Sequence, residues 1–467
     1  VADPVGVVSI ALFHPPMEPD PDWYRIDNLA GCRVRGWSID RGRPTEFDKT
    51  GTGTAVVQVV DRDGLFDPTN TGSPYHGHVQ PGKQAAVSLR NPVNDTWHTL
   101  FRGFVESWAY RLDPTRQYME LELQLVDGFA VLSRAELRVG IDGALPLPAE
   151  IAKGNVAYGL TEGTLSDRIF AILGDVGWPE ALAVPAVDVF SGNVRAGPKA
   201  YGPGTSALDG LWDAADAEFP GVANMWIGGA SAPGHLIFHG RQARFRPDVA
   251  EYNITPYTVG DPSAWGIDGV VPVAELEWSN GQDNLYNAAS ATPQGILEDD
   301  GTWRQLNPDP PDNDDVAGQY VKDDASIAAY GLRSITFDQL QTVYGIHADG
   351  GAGNNALQET KLFAQYYVEN YKDPAPRLSR LVFKTRRPSD THGPALWQFL
   401  CNVDISDLLT LKTAHPGGGG FDTDFYVEGL HYTGRPGPPE YAIVELALDV
   451  SPRANFTTNP FDEDPDP

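Results

Sequence analysis

Few groups in this 467-residue chain have a type and spacing that could do chemistry: paired histidines, alternating carboxylates, neighbouring glutamates and two cysteines. His235 and His239 stand four apart, the spacing that brings two imidazoles to one metal from a helix face. They flank Leu236-Ile237-Phe238, which reads as a strand, and four residues along a strand cover about 13 Å. No shared ion is expected there. His76-Gly77-His78 lies in a Pro/Gly loop and reads as surface. Asp61, Asp63 and Asp67 surround Gly64 as in the opening of a calcium loop, but the twelfth position, which needs a bidentate acid, is Gly72. An Asp-Gly turn after a strand, with Asp67-Pro68 opening a loop, accounts for the run, and no metal is expected.

Glu120 and Glu122 could serve a glycosidase, yet they alternate on a strand and face solvent. With 63 acidic residues such pairs arise by chance. The Gly417–Gly420 run lacks the lysine and following helix of a phosphate loop and reads as a hairpin tip. There is no HExxH, no GxSxG and no GxxxxGK[ST] in the sequence. Cys32 and Cys401 are either bridged or, as we expect, two buried free thiols. The sequence therefore implies no catalytic, cofactor-binding or metal-ligating residues, and no cofactor.

The elements around these groups are mostly strands. Cys32–Ile39, Thr54–Val60, Ala85–Leu89, Trp97–Trp108 and Tyr118–Leu125 alternate or are β-branched, with turns at Asp61-Arg62-Asp63-Gly64, Asn94-Asp95 and Asp113-Pro114. Then helical spacing appears in Leu165–Leu173, capped by Thr164 and stopped at Gly177-Trp178-Pro179, and in Ser206–Phe219. Two strands follow, Asn224–Ile227 and His235–His239. Strands return at Val273–Trp278 and Tyr286–Ala291, and a helix is expected over Gln358–Tyr371. The close is again β, in Leu378–Lys384, Leu408–Leu411, Phe425–Glu428 and Ala442–Leu446. The loop Asn307–Asp315 and the acidic end Asn459–Pro467 read as solvated and disordered. No short-period repeat appears, but β-regions at both ends leave room for a diverged duplication.

Thirty-four Lys+Arg against 63 Asp+Glu give a formal charge of -29, which excludes a general nucleic-acid binder and disfavours an anionic membrane surface. No apolar run approaches the roughly 18 residues of a membrane span. The opening Val1-Ala2-Asp3-Pro4 lacks the basic and apolar regions of a secretory signal, so synthesis in the cytoplasm is expected.

Arg41–Asp48, Gly53–Asp61, Gly64–Asn70 with Ser73-Pro74-Tyr75, Val79–Lys83 and Leu100–Trp108 form a series that resembles the minor tail proteins of long-tailed phages infecting actinobacteria. The resemblance continues in Ile172–Pro179, Ala207–Leu211, Asp283–Asn287, Ser326 with Tyr330–Arg333, and Trp397–Asp407, covering most of residues 32 to 450. The first region is also similar to the first barrel of the baseplate hubs of contractile tails and type VI secretion spikes.

That resemblance implies a mixed β and α+β fold, with two hub-type, tube-like β-barrel domains, an inserted α+β domain and a smaller mixed region. The expected divisions are 1–140, first barrel with an N-terminal extension; 141–268, α+β middle domain; 269–292 with 378–455, second barrel; 293–377, inserted mixed region; 456–467, acidic disordered tail. The implied protein is no enzyme but a virion component of the siphovirus tail tip, a baseplate hub. It would work as a homotrimer, contact the distal tail ring, tape measure protein and minor tail or central fibre proteins, and meet DNA only as passing cargo. Membrane anchoring is not expected. Any wall-degrading activity is expected on another chain. Two alternatives stand beside it: a hexameric distal tail ring or peripheral receptor-binding minor tail protein, and an enzyme that cuts wall or surface glycan. The acidity fits either a lumen that repels DNA phosphates or simple solubility.

Overall fold

The computed structural model describes residues 6–18, 20–113, 118–137, 158–160, 163–178, 189–190, 195–196, 199–229, 233–245, 256–261, 270–281, 284–297, 303–305, 320–340, 342–344, 352–375, 377–415, 419–437 and 441–456. Fourteen strands join in one large sheet. They are β1 (Gly6–Ile10), β2 (Tyr24–Arg25), β3 (Cys32–Gly42), β4 (Thr54–Asp61), β5 (Gln84–Asn91), β6 (Thr96–Asp113) and β7 (Tyr118–Val126), then β8 (Pro256–Gly260), β9 (Val271–Pro272), β10 (Glu275–Ser279), β11 (Arg377–Lys384), β12 (Leu408–Lys412), β13 (Asp422–Arg435) and β14 (Ile443–Pro452).

The sheet falls into two halves with one strand order. The first runs β3-β4-β7-β6-β5-β1 and the second β10-β11-β14-β13-β12-β8. Each half contains the same three antiparallel ladders in series, β4:β7, β7:β6 and β6:β5 in one, β11:β14, β14:β13 and β13:β12 in the other. One ladder differs, since β1:β5 is antiparallel and β8:β12 is parallel. The halves are joined edge to edge where β13 pairs β3.

The alternation that made these segments read as strands also builds the core. Val57, Val59, Leu121, Leu123, Leu125 and Val105 of the first half point inward and share one apolar cluster with Leu381, Phe383, Leu430, Leu446 and Leu448 of the second. The helix Gly393–Asn402, with apolar Leu396, Trp397, Phe399 and Leu400, seals that cluster.

Seven α-helices are described: α1 (Gly128–Arg134), α2 (Leu165–Asp175), α3 (Ala207–Ala215), α4 (Arg241–Phe245), α5 (Asp324–Tyr330), α6 (Ala352–Tyr371) and α7 (Gly393–Asn402). Thr164 and Ser206 cap α2 and α3 by accepting hydrogen bonds from the Asp167 and Asp209 amides. These helices, with strands Asn224–Ile227 and Leu236–His239, enclose a second core. A third core gathers Phe363, Tyr366, Tyr367 and Tyr371 of α6 against Phe219, Tyr426 and Phe456.

Several expectations need correction. The described strands close no barrel. Closing the first half would require β3 to pair on its outer edge with the far end of the same half, and that edge is taken by β13. The strand expected over Tyr286–Ala291 in the second β-region forms as Ala288–Pro293 and pairs instead with Tyr320–Lys322 and Ser334–Leu340 in a separate three-stranded sheet. Strand β8 falls within the span expected for the middle domain, yet it belongs to the large sheet. Phe456, assigned to the disordered tail, is buried beside Tyr426. The loop Asn307–Asp315, residues 457–467 and part of the Gly417–Gly420 run lie outside the described residues.

Candidate functional site

The feature that organises the molecule is the strand β13. On one edge it pairs β14 through Phe425–Arg435; on the other it pairs β12 through Asp422–Tyr426 and then β3 through Gly429–Gly434. A bulge at Glu428 separates the two partners. Strand β6 repeats this design. It pairs β7 on one edge, pairs β5 on the other as far as Phe104, and bulges at Glu106. The loop before each bulge makes the same two backbone bonds. Gly82 N donates to Val105 O (2.7 Å) and Val105 N to Lys83 O (2.8 Å); Ser406 N donates to Val427 O (2.8 Å) and Val427 N to Asp407 O (2.9 Å). Gly82 and Ser406 both hold positive φ, 82° and 69°. The sequence carries a trace of the repeat: Phe104-Val105-Glu106-Ser107-Trp108-Ala109-Tyr110 against Tyr426-Val427-Glu428-Gly429-Leu430-His431-Tyr432.

Where β13 meets β3, charges are buried and paired. Arg43 Nε donates to Glu428 Oε2 at 2.7 Å, and Arg244 of α4 grips both carboxylate oxygens, with Nη2 at 2.9 Å from Oε2. Burial alone would raise the Glu428 pKa, but Arg244 and Arg43 overcome it and bring it down to about 2. Arg41 donates to Asp404 (2.9 Å) and to the Ile227 carbonyl, and Gly229 N donates to the same Asp404 carboxylate (2.7 Å). Glu46 accepts from Arg377 (3.1 Å), Tyr371 (3.3 Å) and Asn455 (3.4 Å). The short segment Arg41–Glu46 thus fastens both sheet halves, the middle unit and α6. Gly42 is required there, because its φ is 100° and a Cβ would stand 2.2 Å from the Glu428 carbonyl oxygen.

On the face turned from the core, His431 Nδ1 lies 3.0 Å from Asp40 and Nε2 2.7 Å from Asp449. Its hydrogen bonds to both carboxylates raise its pKa to about 10, so it is an imidazolium at neutral pH. Farther along this face Arg33, Arg35, Arg62 and Arg435 line, with Tyr118, a concavity of about 650 Å³.

The residues singled out for chemistry are placed apart. Asp61 is buried and accepts from the Phe66 amide (2.8 Å), while Asp67 accepts from the Thr69 amide (2.8 Å) and hydroxyl (2.7 Å). They act as turn caps. Among the described residues no three His, Cys, Asp or Glu side chains are grouped to hold an ion. His239 is buried against Trp226, and burial lowers its pKa to about 3. His78 packs on Phe13. Glu120 accepts from Arg35 (3.2 Å) on the outer face of β7, and Glu122 from Gln124. Cys32 and Cys401 are both free thiols, the first half-buried beside Asp61 and the second buried; burial raises each pKa to about 12.

Motifs far apart in sequence meet. Asn287 donates to the Gly331 carbonyl (2.8 Å) and accepts from Arg333 N (2.8 Å), and its amide lies 3.2 Å from Ser326. Arg244, Glu428 and His431 went unnoticed in the sequence. The aromatic-Val-Glu-small-apolar repeat around Glu106 and Glu428 was the signal that could have found the latter two.

No family model and no curated protein matches the sequence. Solved structures do. A tail protein from Neisseria meningitidis MC58 superposes with a TM-score of 0.50 at 12% identity, covering 95% of this chain and 96% of that one. The 43 kDa tail protein of prophage MuSo2 from Shewanella oneidensis gives 0.51 at 10% identity, covering 97% and 99%. The fold is that of these two tail proteins. A Francisella PdpA-VgrG complex chain gives 0.46 at 9% identity over 97% of this chain and 53% of that one. Among the described residues no helix is long and apolar enough to cross a membrane.

Proposed function

We propose that the chain is a structural component of a phage tail tip, the hub that joins the tail tube and distal tail ring to the central fibre. The observation that carries this reading is the likeness to two tail proteins over 95% and 97% of this chain and 96% and 99% of theirs. The repeated strand order supports the hub in particular. A chain with two similar sheet halves, joined edge to edge, supplies two segments of a ring, so three copies present six similar segments to a sixfold tube. Identical subunits close around an axis by such head-to-tail contacts.

In this reading residues 1–140 and the later β-strands are the ring-forming domains, the two helix-bearing units stand outside, and the polar sheet face lines the passage for DNA. The partners are two further copies, the distal tail ring, the tape measure protein and fibre or minor tail proteins, in the virion of a siphovirus infecting actinobacteria. The chain has no catalytic role in this assembly. Antibody labelling of purified particles tests the assignment. Label confined to the tail tip is the expected result; label along the tube or on the head would refute it. Digestion of cell wall by the purified chain would move the assignment to an enzyme.

A further inference from the structure

The two sheet halves differ in one respect that points outward. In the second, the edge of β13 beyond the Glu428 bulge is covered by β3. In the first, the equivalent edge of β6 beyond Glu106 has no partner strand among the described residues. The complementary gap is at β10. It occupies the place in the second half that β3 holds in the first, pairs β11 on one edge, and has no strand on the other among the described residues. One chain therefore carries one unused copy of each side of its own internal junction.

The residues at those two edges are complementary when the internal register is transferred. The β13:β3 ladder sets Gly434 opposite Trp37, Thr433 opposite Ser38 and Tyr432 opposite Ile39. Counting from the bulges and through the β4:β7 and β11:β14 ladders, Gly434, Thr433 and Tyr432 correspond to Leu112, Arg111 and Tyr110. In the same way Trp37 and Ser38 correspond to Leu276 and Glu277, and Trp278, the next residue of β10, takes the position of Ile39 by count along the strand, because a bulge there leaves Ser379 of β11 without an opposite residue. The transferred pairs are Leu112 with Leu276, Arg111 with Glu277, and Tyr110 with Trp278. Each is a favourable cross-strand pair. At the internal junction Tyr432 and Ile39 are each 2% exposed, whereas Leu112, Trp278 and Tyr110 are 68%, 49% and 37% exposed. Exposed apolar side chains on an open strand edge invite another strand. Charges on an edge often serve only to repel, but here the two edges carry opposite signs at facing positions.

We propose that the outer half of β6 in one copy pairs antiparallel with β10 of a second copy, in the register Leu112–Leu276, Arg111–Glu277, Tyr110–Trp278. The contact is head-to-tail, because it joins two different edges, and it reproduces between chains the junction that β13 and β3 make within one. It deepens the ring reading above and depends on it only for the number of copies.

Cysteine pairs test the contact. In a Cys32→Ser background, chains carrying Arg111→Cys are mixed with chains carrying Glu277→Cys, and Leu112→Cys with Leu276→Cys, then oxidised over a range of concentrations. Facing residues of an antiparallel ladder have Cα atoms about 4.5–5.5 Å apart, within disulfide reach. The expected product is a linked dimer with one chain of each kind, absent when either variant is oxidised alone. Charge reversal supplies a second readout. Arg111→Glu or Glu277→Arg alone should weaken self-association roughly fivefold, and the double reversal should restore it. No link in either pair at any concentration, or no rescue by the double reversal, overturns the pairing. An assembly of three without the links would retain the ring and refute this contact; links within an assembly of another size would retain the contact and refute the ring of three.

Discussion

Glu428 and Glu106 sit at the same bulge of the same strand in the two sheet halves, and their surroundings differ completely. Glu428 is buried between Arg43 and Arg244, with Ser451 donating to it. Glu106 is half-exposed and, among the described residues, is held by Arg134, 2.7 Å away. The difference follows from what lies beyond the bulge. Strand β3 covers β13, so the carboxylate there is cut off from water and must be paired. No described strand covers β6 beyond its bulge, so its carboxylate stays partly solvated. One backbone design therefore yields a fixed joint in one place and an open edge in the other.

Breaking the two sites in parallel should show this contrast at its largest. Glu428→Ala leaves two buried guanidinium groups without their carboxylate and should cost about 3–5 kcal/mol. Glu106→Ala should cost less than about 1 kcal/mol, as for an exposed pair. Chemical denaturation of both variants measures it, and equal losses would undo the comparison. Next in size is the aromatic pair. Tyr432 is buried and donates to the Leu400 carbonyl at 3.0 Å, so Tyr432→Ala should cost about 3–5 kcal/mol. Tyr110→Ala should change the stability of the isolated chain by no more than about 1 kcal/mol.

The pH dependence sharpens the picture of the joint. The Glu428 pKa is lowered to about 2, so its contribution is present above the ordinary carboxylate range and is lost as pH falls through about 2. The His431 pKa is raised to about 10, so its contribution is full below its ordinary value of 6.5 and is lost as pH rises through about 10. Melting temperature should therefore decline on the alkaline side, and His431→Asn should flatten that decline while lowering the neutral value. An unchanged alkaline slope in the variant would remove His431 from the joint. The smallest effect concerns the turn before each bulge. Ser406→Gly should stabilise by up to about 1 kcal/mol, since serine there holds φ 69°, and Gly82→Ser should destabilise by about 1 kcal/mol or more.

Much of this was legible because strands and helices follow local rules. Alternation located β3, β4, β5, β6 and β7 within a few residues of their ends, and Thr164 marked the start of α2 through a cap that depends only on its neighbours. The joint was not legible, because its partners are brought together by the fold. Arg43, Arg244 and Glu428 lie far apart in the sequence, and it takes both the β13:β3 pairing and the packing of α4 to unite them. The barrel expectation failed for a related reason: whether a sheet closes depends on which edge claims each strand, and β3 could have been claimed by its own half as readily as by β13. Leu236–His239 is a strand and Asp61–Asp67 carries the turn after β4, as alternation and the turn residues indicated.

If one chain contributes two similar ring segments, the copy number of the assembled particle must be half that of a ring with one segment per chain. Native mass measurement or a symmetry-free reconstruction of the isolated tail tip should give three copies, arranged with pseudo-sixfold sheet halves around the axis. Six copies in one ring, or a single copy, would contradict the account.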